Sequence, residues 1–135
     1  MTIKYMVYAS IRSSNTTEVD VDTIIETAEY KNALDAISGV ILIKSNYFFQ
    51  YFEGEPEDVD KLYDNLIKDP RHKDIKLLHT GYIDDRIFPG WAMYPIQSIT
   101  DHQVYETKIK SCPDRKLRDI LITYCINERP IQLLY

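Results

Sequence analysis

Apolar and polar positions alternate along IKYMVYAS in a run rich in β-branched and aromatic side chains, which predicts a strand over Ile3–Ala9. Arg12–Thr17 is polar and predicts a loop. From Asp20 the period changes: Val21, Ile24, Ile25, Ala28 and Asn32 recur at three- and four-residue steps, on one face of a helix. Asp20 or Thr23 can cap it, Thr23 with Glu26 three residues on, and Asp35 and Gly39 bracket its exit. The β-branched run Ile37–Ile43, the pair Ser45-Asn46 and the segment YFFQYFEG read as a hairpin. A second helix is predicted over Glu55–Lys68. Pro56 suits its first turn, Glu55, Glu57, Asp58 and Asp60 suit its positive end, and Val59, Leu62, Tyr63, Leu66 and Ile67 form its apolar stripe. After DPRHKD, strands are predicted over Ile75–Ile83 and, past the turn at Phe88-Pro89-Gly90, from Trp91 to about Ile99. Pro95 in the latter fits an edge position or a break in the ladder. A last helix is predicted over Asp114–Ile126, with Leu117, Ile120, Leu121, Tyr124 and Cys125 facing inward.

This order predicts an α+β chain: a ferredoxin-like βαββαββ sheet with two helices on one face and a C-terminal helical appendage on the other. Right-handed crossovers force both helices to the same face. The C-terminal helix is then the only apolar element left to cover the second face. The expected organisation is residues 1–100 as the core domain and residues 101–135 as a cap from which a signal can emerge.

Composition narrows the class. The chain has 135 residues, 44% of them hydrophobic and 27% charged, which suits one globular domain. Its formal net charge of −5 argues against a nucleic-acid footprint. No apolar run is long enough to span a membrane and the first residues lack a secretory pattern, so a cytoplasmic location is expected. Cys112 and Cys125 lack metal-like spacing and are expected to be buried free thiols.

Three polar residues stand on faces that should be apolar. Asn32 follows Ala28 by four residues and Ile25 by seven; it either caps the helix C-terminus or meets a ligand. Gln50 shares a face with Phe48 and Phe52, while its neighbours Phe49 and Tyr51 occupy the other. Its amide can bond a neighbouring tyrosine or bind something else. Tyr8 shares a face with Met6 and Ser10, and its hydroxyl needs a partner once buried. With Ala28 leaving room beside the first helix, the three can line a slot for a flat heteroaromatic ligand with carbonyl and amide edges. Asp69, Arg71 and His72 form either a solvated turn or a holder for an anionic group. Trp91 and Met93 are expected on one strand face, as core. His79 and His102 have no metal-like spacing, and no nucleophile signature or phosphate loop exists, so metal, hydrolase and kinase chemistry are not expected.

On these residues the chain resembles the BLUF domains, sensors of blue light using FAD, from about Ile3 to Ile99. The likeness rests on YMVYAS, on Asn32 followed by AISG, on YFFQYFEGEPEDVDKLYDNLIKDPRH and on FPGWAM. It implies that Tyr8 is the redox-active tyrosine, Gln50 the amide between it and the flavin ring, and Asn32 a ligand of the ring's carbonyl and amide edge. It places the flavin between the two helices, with Ile24, Ile25 and Leu66 packing on it, and makes Trp91 and Met93 the relay positions. Light would draw an electron and a proton from Tyr8 by way of Gln50; their return would leave Gln50 rearranged, by tautomerism or rotation, and the absorption shifted to the red. Two positions depart from the pattern. Lys31 stands where a compact polar residue is expected, and Asn65 where a longer basic residue would help hold phosphates. Arg71 and His72 match, and Lys31 can compensate, so FAD is the expected cofactor with FMN or riboflavin tolerated, and Asp69 is expected beside them at the cofactor.

The resulting expectation is a stand-alone photoreceptor, not an enzyme, that forms homo-oligomers and signals to a protein partner in trans, without nucleic acid or membrane. The alternatives are a light-insensitive ferredoxin-like module that binds a ligand or partner, and a flavin-dependent oxidoreductase. The oxidoreductase is disfavoured by the lack of a nicotinamide site.

Overall fold

A computed structural model of the chain describes residues 2–14, 17, 36–44, 46–96, 101–127 and 129–135. The expected first helix, with Ile24, Ile25, Ala28, Lys31 and Asn32, lies outside the described residues. Alternation of side chains builds β1 (Ile3–Arg12), β2 (Ser38–Lys44), β3 (Tyr47–Gly54) and β4 (His72–Ile83), joined by the short β5 (Tyr94–Pro95). The sheet order is β4-β1-β3-β2-β5. The first three pairings are antiparallel, and β5 lies parallel to β2 at the edge. This is the ferredoxin-like arrangement with one added strand. Lys44 faces Tyr47 across the hairpin, so the turn has the two residues expected. Gly39 is required where β2 passes β3, because a Cβ there would stand 2.0 Å from the Tyr51 carbonyl oxygen.

The two sheet faces carry separate cores. Tyr5, Val7, Ala9, Phe49 and Tyr51 face one side, and Met6, Tyr8 and Phe52 the other. The helix Pro56–Ile67 closes the Tyr8 side through buried Val59, with Leu62, Tyr63 and Leu66 packed around it. Pro56 at its start and Glu57 and Asp58 in its first turn explain where it begins. Ile67 was expected in the stripe but is 50% exposed, because its position turns away from the sheet.

The C-terminal segment covers the Tyr5 side, as expected. A helix Arg115–Leu121 continues as a π-helix over Ile122–Ile126 and buries Leu117, Leu121 and Cys125. Its N-cap is Asp114, whose carboxylate accepts the Leu117 N–H at 3.0 Å. Periodicity missed a second helical piece, Asp101–Val104 continuing as a π-helix over Tyr105–Ile109. Its buried residues Val104 and Ile109 are five apart, a π-helix spacing rather than an α-helix one. A 3₁₀ turn, Ile131–Leu134, ends the chain. Cys112 and Cys125 are buried, and neither is in a disulfide among the described residues. Among the described residues no helix is long and apolar enough to cross a membrane.

The strand expected from Trp91 to Ile99 is only two residues long within the described chain, and Pro95 does sit at the sheet edge. Trp91 and Met93 do not share a face, contrary to expectation. Met93 adopts φ +62°, which breaks the period-two alternation. Its side chain therefore enters the Tyr8 core, while Trp91 packs against the Tyr5 core.

Candidate functional site

β1 and β3 bring Tyr8 and Gln50 directly opposite each other. Both are almost fully buried, Tyr8 at 2% exposure and Gln50 at 3%. The Tyr8 hydroxyl donates a hydrogen bond to Gln50 Oε1, and Gln50 Nε2 donates to Met93 Sδ at 2.9 Å. A phenol, a carboxamide and a thioether thus form one buried chain. Sulfur is a weak acceptor, and among the described residues the second N–H of the Gln50 amide has no partner. A buried amide spent this poorly is costly unless something else accepts from it.

Local irregularities aim these groups. The β1–β4 pairing shifts register between Val7 and Tyr8 and again between Ala9 and Ile11, so bulges flank Tyr8. Burial pushes the Tyr8 phenol well above its ordinary pKa, and the nearby charge of Asp69 adds to it. Tyr8 therefore keeps its proton at neutral pH and can act as donor.

The ring of His72 stands edge-on between Tyr8 and Phe48, with centroids 6.0 and 6.2 Å away. Its Nε2 lies 2.6 Å from the Leu66 carbonyl, which only accepts, so Nε2 carries the proton. Nδ1 then accepts from the Ser10 hydroxyl at 2.8 Å. Both ring nitrogens are thus used to tie β1 to the end of the Pro56–Ile67 helix. Arg71 folds back on Asp69, Nη2 to Oδ2 at 2.6 Å and Nε to Oδ1 at 3.0 Å. That guanidinium holds the Asp69 carboxyl below its usual range, against a smaller opposing effect of burial. Leu66 packs at the edge of the Tyr8 core. The structure therefore assembles Tyr8, Gln50, Met93, Leu66 and His72 around one region, with Asp69 and Arg71 at its border. Trp91 lies on the other face, and Ile24, Ile25, Lys31 and Asn32 are outside the described residues.

Sequence reasoning missed two polar clusters on the opposite face of the sheet. Glu53 is fully buried and accepts from Tyr51 Oη at 2.7 Å and from Ser38 Oγ, Ile87 N and Phe88 N, each at 2.8 Å. Four donors on two oxygens fix the loop before Trp91 to the end of β3, and Arg86 Nη1 reaches Ser38 Oγ at 2.9 Å beside them. The signal was available: Glu53 shares a period-two face with Phe49 and Tyr51. Beneath the C-terminal cover, Tyr5 Oη donates to Asp114 Oδ2 at 2.6 Å, and His79 Nε2 lies 3.6 Å from Asp114 Oδ1. Burial works to raise the Asp114 carboxyl, but the Leu117 N–H, the Tyr5 hydroxyl and His79 outweigh it and leave it lowered. Among the described residues no group of His, Cys, Asp and Glu could hold a metal ion.

Comparison with known proteins agrees with this geometry. The profile of the BLUF family, sensors of blue light using FAD, matches residues 3–94. Photoactivated adenylate cyclase subunit beta of Euglena longa is 32% identical over 110 residues, 78% of this chain but 13% of the relative. The chain thus spans a small part of the curated relatives it matches. Among solved structures, a bacterial light-regulated adenylyl cyclase superposes with a TM-score of 0.68 at 31% identity, over 97% of this chain and 36% of the other. The photo-activated state of BlsA superposes with a TM-score of 0.69 at 29% identity, over 95% of this chain and 94% of the other. The profile covers most of the length and the buried tyrosine and glutamine stand side by side beneath it, so the chain belongs to the BLUF family of blue-light sensors.

Proposed function

We propose that this chain is a blue-light photoreceptor that holds FAD non-covalently and reports illumination through the hydrogen bonds of Gln50. The observation that carries the reading is the buried chain from Tyr8 through Gln50 to Met93. The amide N–H for which the described residues offer no acceptor fits a ring carbonyl. Gln50 and Tyr8 would meet the ring edge and Leu66 its face, with Asp69, Arg71 and His72 toward the rest of the cofactor. Ile24, Ile25, Lys31 and Asn32 would complete the site from the first helix. FMN or riboflavin would be tolerated where the phosphate contacts are weak.

Excited by blue light, a bound flavin supplies a strong oxidant. Tyr8 would give up an electron to that oxidant while its hydroxyl proton leaves along the hydrogen bond to Gln50 Oε1, and both would return to Tyr8, so nothing would be consumed. What persists is the arrangement of the Gln50 amide, by tautomerism or rotation. A rotated amide would donate from Nε2 to the Tyr8 oxygen, which can accept. It would also turn Oε1 toward Met93 Sδ, which has no hydrogen to give. That arrangement forfeits the N–H···S bond, which supports spontaneous return in the dark. A difference of about 1 kcal/mol changes a two-state ratio about fivefold.

Met93 offers the way out. Its backbone N–H bonds the Trp91 carbonyl at 2.8 Å, and the same carbonyl takes the Gly39 N–H at 2.7 Å. The Trp91 ring lies against Phe88 and Tyr94 and beneath Lys108 Nζ at 5.2 Å. A change at Met93 can thus reach the Tyr105–Ile109 segment. Residues 1–100 would sense and residues 101–135 would report, to a protein partner in trans and within a homo-oligomer in the cytoplasm. The relatives named as photoactivated cyclases support light as the input; no catalytic activity is assigned to this chain. The test is substitution: Tyr8→Phe and Gln50→Leu, reconstituted with FAD, should stay yellow yet lose the light-induced red shift. A normal shift in either would remove that residue from its role, and a parent chain that binds no flavin would leave a light-insensitive module.

A further inference from the structure

We infer that the groove beside the C-terminal helix receives the acidic helix Pro56–Ile67 of a second copy of this chain. The groove has a volume of about 550 Å³ and is bordered by Arg115, Lys116 and Arg129, with Ile120 and Tyr124 along its floor. A smaller cavity of about 180 Å³ continues from it past Tyr124 and Arg129. The Tyr124 ring is seated on Phe49 at 5.3 Å, so the floor is anchored to the sheet. The three cations are exposed. Among the described residues their side chains have no hydrogen-bond or ion-pair partner, while Asp119 is the one acid on the border. Basic rim and apolar floor together call for an acidic element with an apolar anchor.

The chain carries such an element. The helix Pro56–Ile67 holds Glu57, Asp58, Asp60 and Asp64 against Lys61 alone. Glu57, Asp60, Asp64 and Ile67 fall at steps of three, four and three, which puts them on one stripe within about a quarter turn. All four are exposed, and Ile67 is the apolar residue that its own fold leaves out, at 50%. Asp60 is occupied by Lys4 at 2.6 Å, which leaves Glu57 and Asp64 to meet the groove. The groove and the stripe lie on opposite faces of the sheet, because one helix covers the Tyr8 core and the other the Tyr5 core. They cannot meet within a copy. Between copies the contact joins unlike surfaces, so each molecule has one of each to offer and assembly proceeds head to tail to a ring or a filament.

The inference deepens the homo-oligomer in the reading above, yet it can fail separately: a monomer that still shifts its absorption in blue light overturns only the assembly. The experiment is molar mass by light scattering at low and high salt, on the parent and two charge-reversed variants. One carries Arg115→Glu and Lys116→Glu, the other Glu57→Lys and Asp64→Lys, and circular dichroism confirms that each is folded. The expected result is a parent mass several times that of one chain, reduced by salt because exposed pairs are screened. Each variant alone should run as a monomer, and an equal mixture of the two should regain the large mass. A monomeric parent at low salt, variants that assemble as the parent does, or a mixture that stays monomeric would overturn it.

Discussion

Glu53→Gln isolates the role of the buried carboxylate, because shape is kept and only one oxygen becomes an NH₂ group. Oε1 accepts from Tyr51 Oη and Ile87 N, and Oε2 from Ser38 Oγ and Phe88 N. The two hydroxyls can rotate and accept from an amide, but the backbone N–H groups cannot. Whichever way the amide turns, one of Ile87 or Phe88 is left facing another donor. A buried donor left without a partner costs about 1–3 kcal/mol, and weaker bonds to a neutral oxygen add to that. Relief of burying a charge offsets part of it, while Arg86 loses a nearby anion and adds to the cost, so a net loss of about 2–4 kcal/mol is expected. In urea this should lower the unfolding midpoint by about 1–2 M at unchanged slope. The light-induced shift should persist, since Tyr8, Gln50 and Met93 are untouched. A midpoint equal to that of the parent would refute the claim that four donors on a charged Glu53 hold the loop ahead of Trp91.

Other substitutions probe the remaining contacts. Met93→Leu keeps the volume but removes the sulfur that takes the Gln50 N–H; stability should change by less than about 1.5 kcal/mol, while dark recovery timed by absorbance should change severalfold, and an unaltered recovery would separate Met93 from the switch. Gly81→Ala places a Cβ 2.7 Å from the Tyr5 hydroxyl, which is itself bound to Asp114. A loss of about 1–3 kcal/mol is expected, with faster proteolysis of the C-terminal segment; intact protection would mean that the Tyr5–Asp114 bond does not hold the cover. Burial raises the phenols of Tyr8 and Tyr51 above their ordinary value of 10.0. The folded chain therefore keeps protons that the unfolded chain releases, so stability should be full below pH 10 and fall above it, by about 1.4 kcal/mol per pH unit for each such tyrosine. Urea midpoints that stay flat from pH 9 to 11 would contradict this.

Much of the sheet was legible because strand alternation is local, and Tyr8 and Gln50 were legible as polar residues on faces otherwise apolar. Their contact was not. It depends on the β1–β3 register, which joins segments 42 residues apart and is set by neither strand alone. Met93 was misplaced because a single positive φ reverses the alternation that the prediction assumed. Glu53 was passed over because it opens a run of acids, Glu53, Glu55, Glu57 and Asp58, that resembles a solvated helix start. Its partners Ile87 and Phe88 come from a distant loop and donate through backbone groups that carry no sequence signature. The Asp101–Ile109 helix escaped because π-helical spacing does not repeat every three or four residues.

The most direct test of the central claim is the absorption spectrum of the purified parent chain loaded with FAD, recorded before, during and after blue illumination. A small shift of the whole flavin band to longer wavelength, returning fully in the dark through repeated cycles, is what rearrangement around Gln50 predicts. A spectrum that does not move, or one that bleaches and does not return, would contradict it.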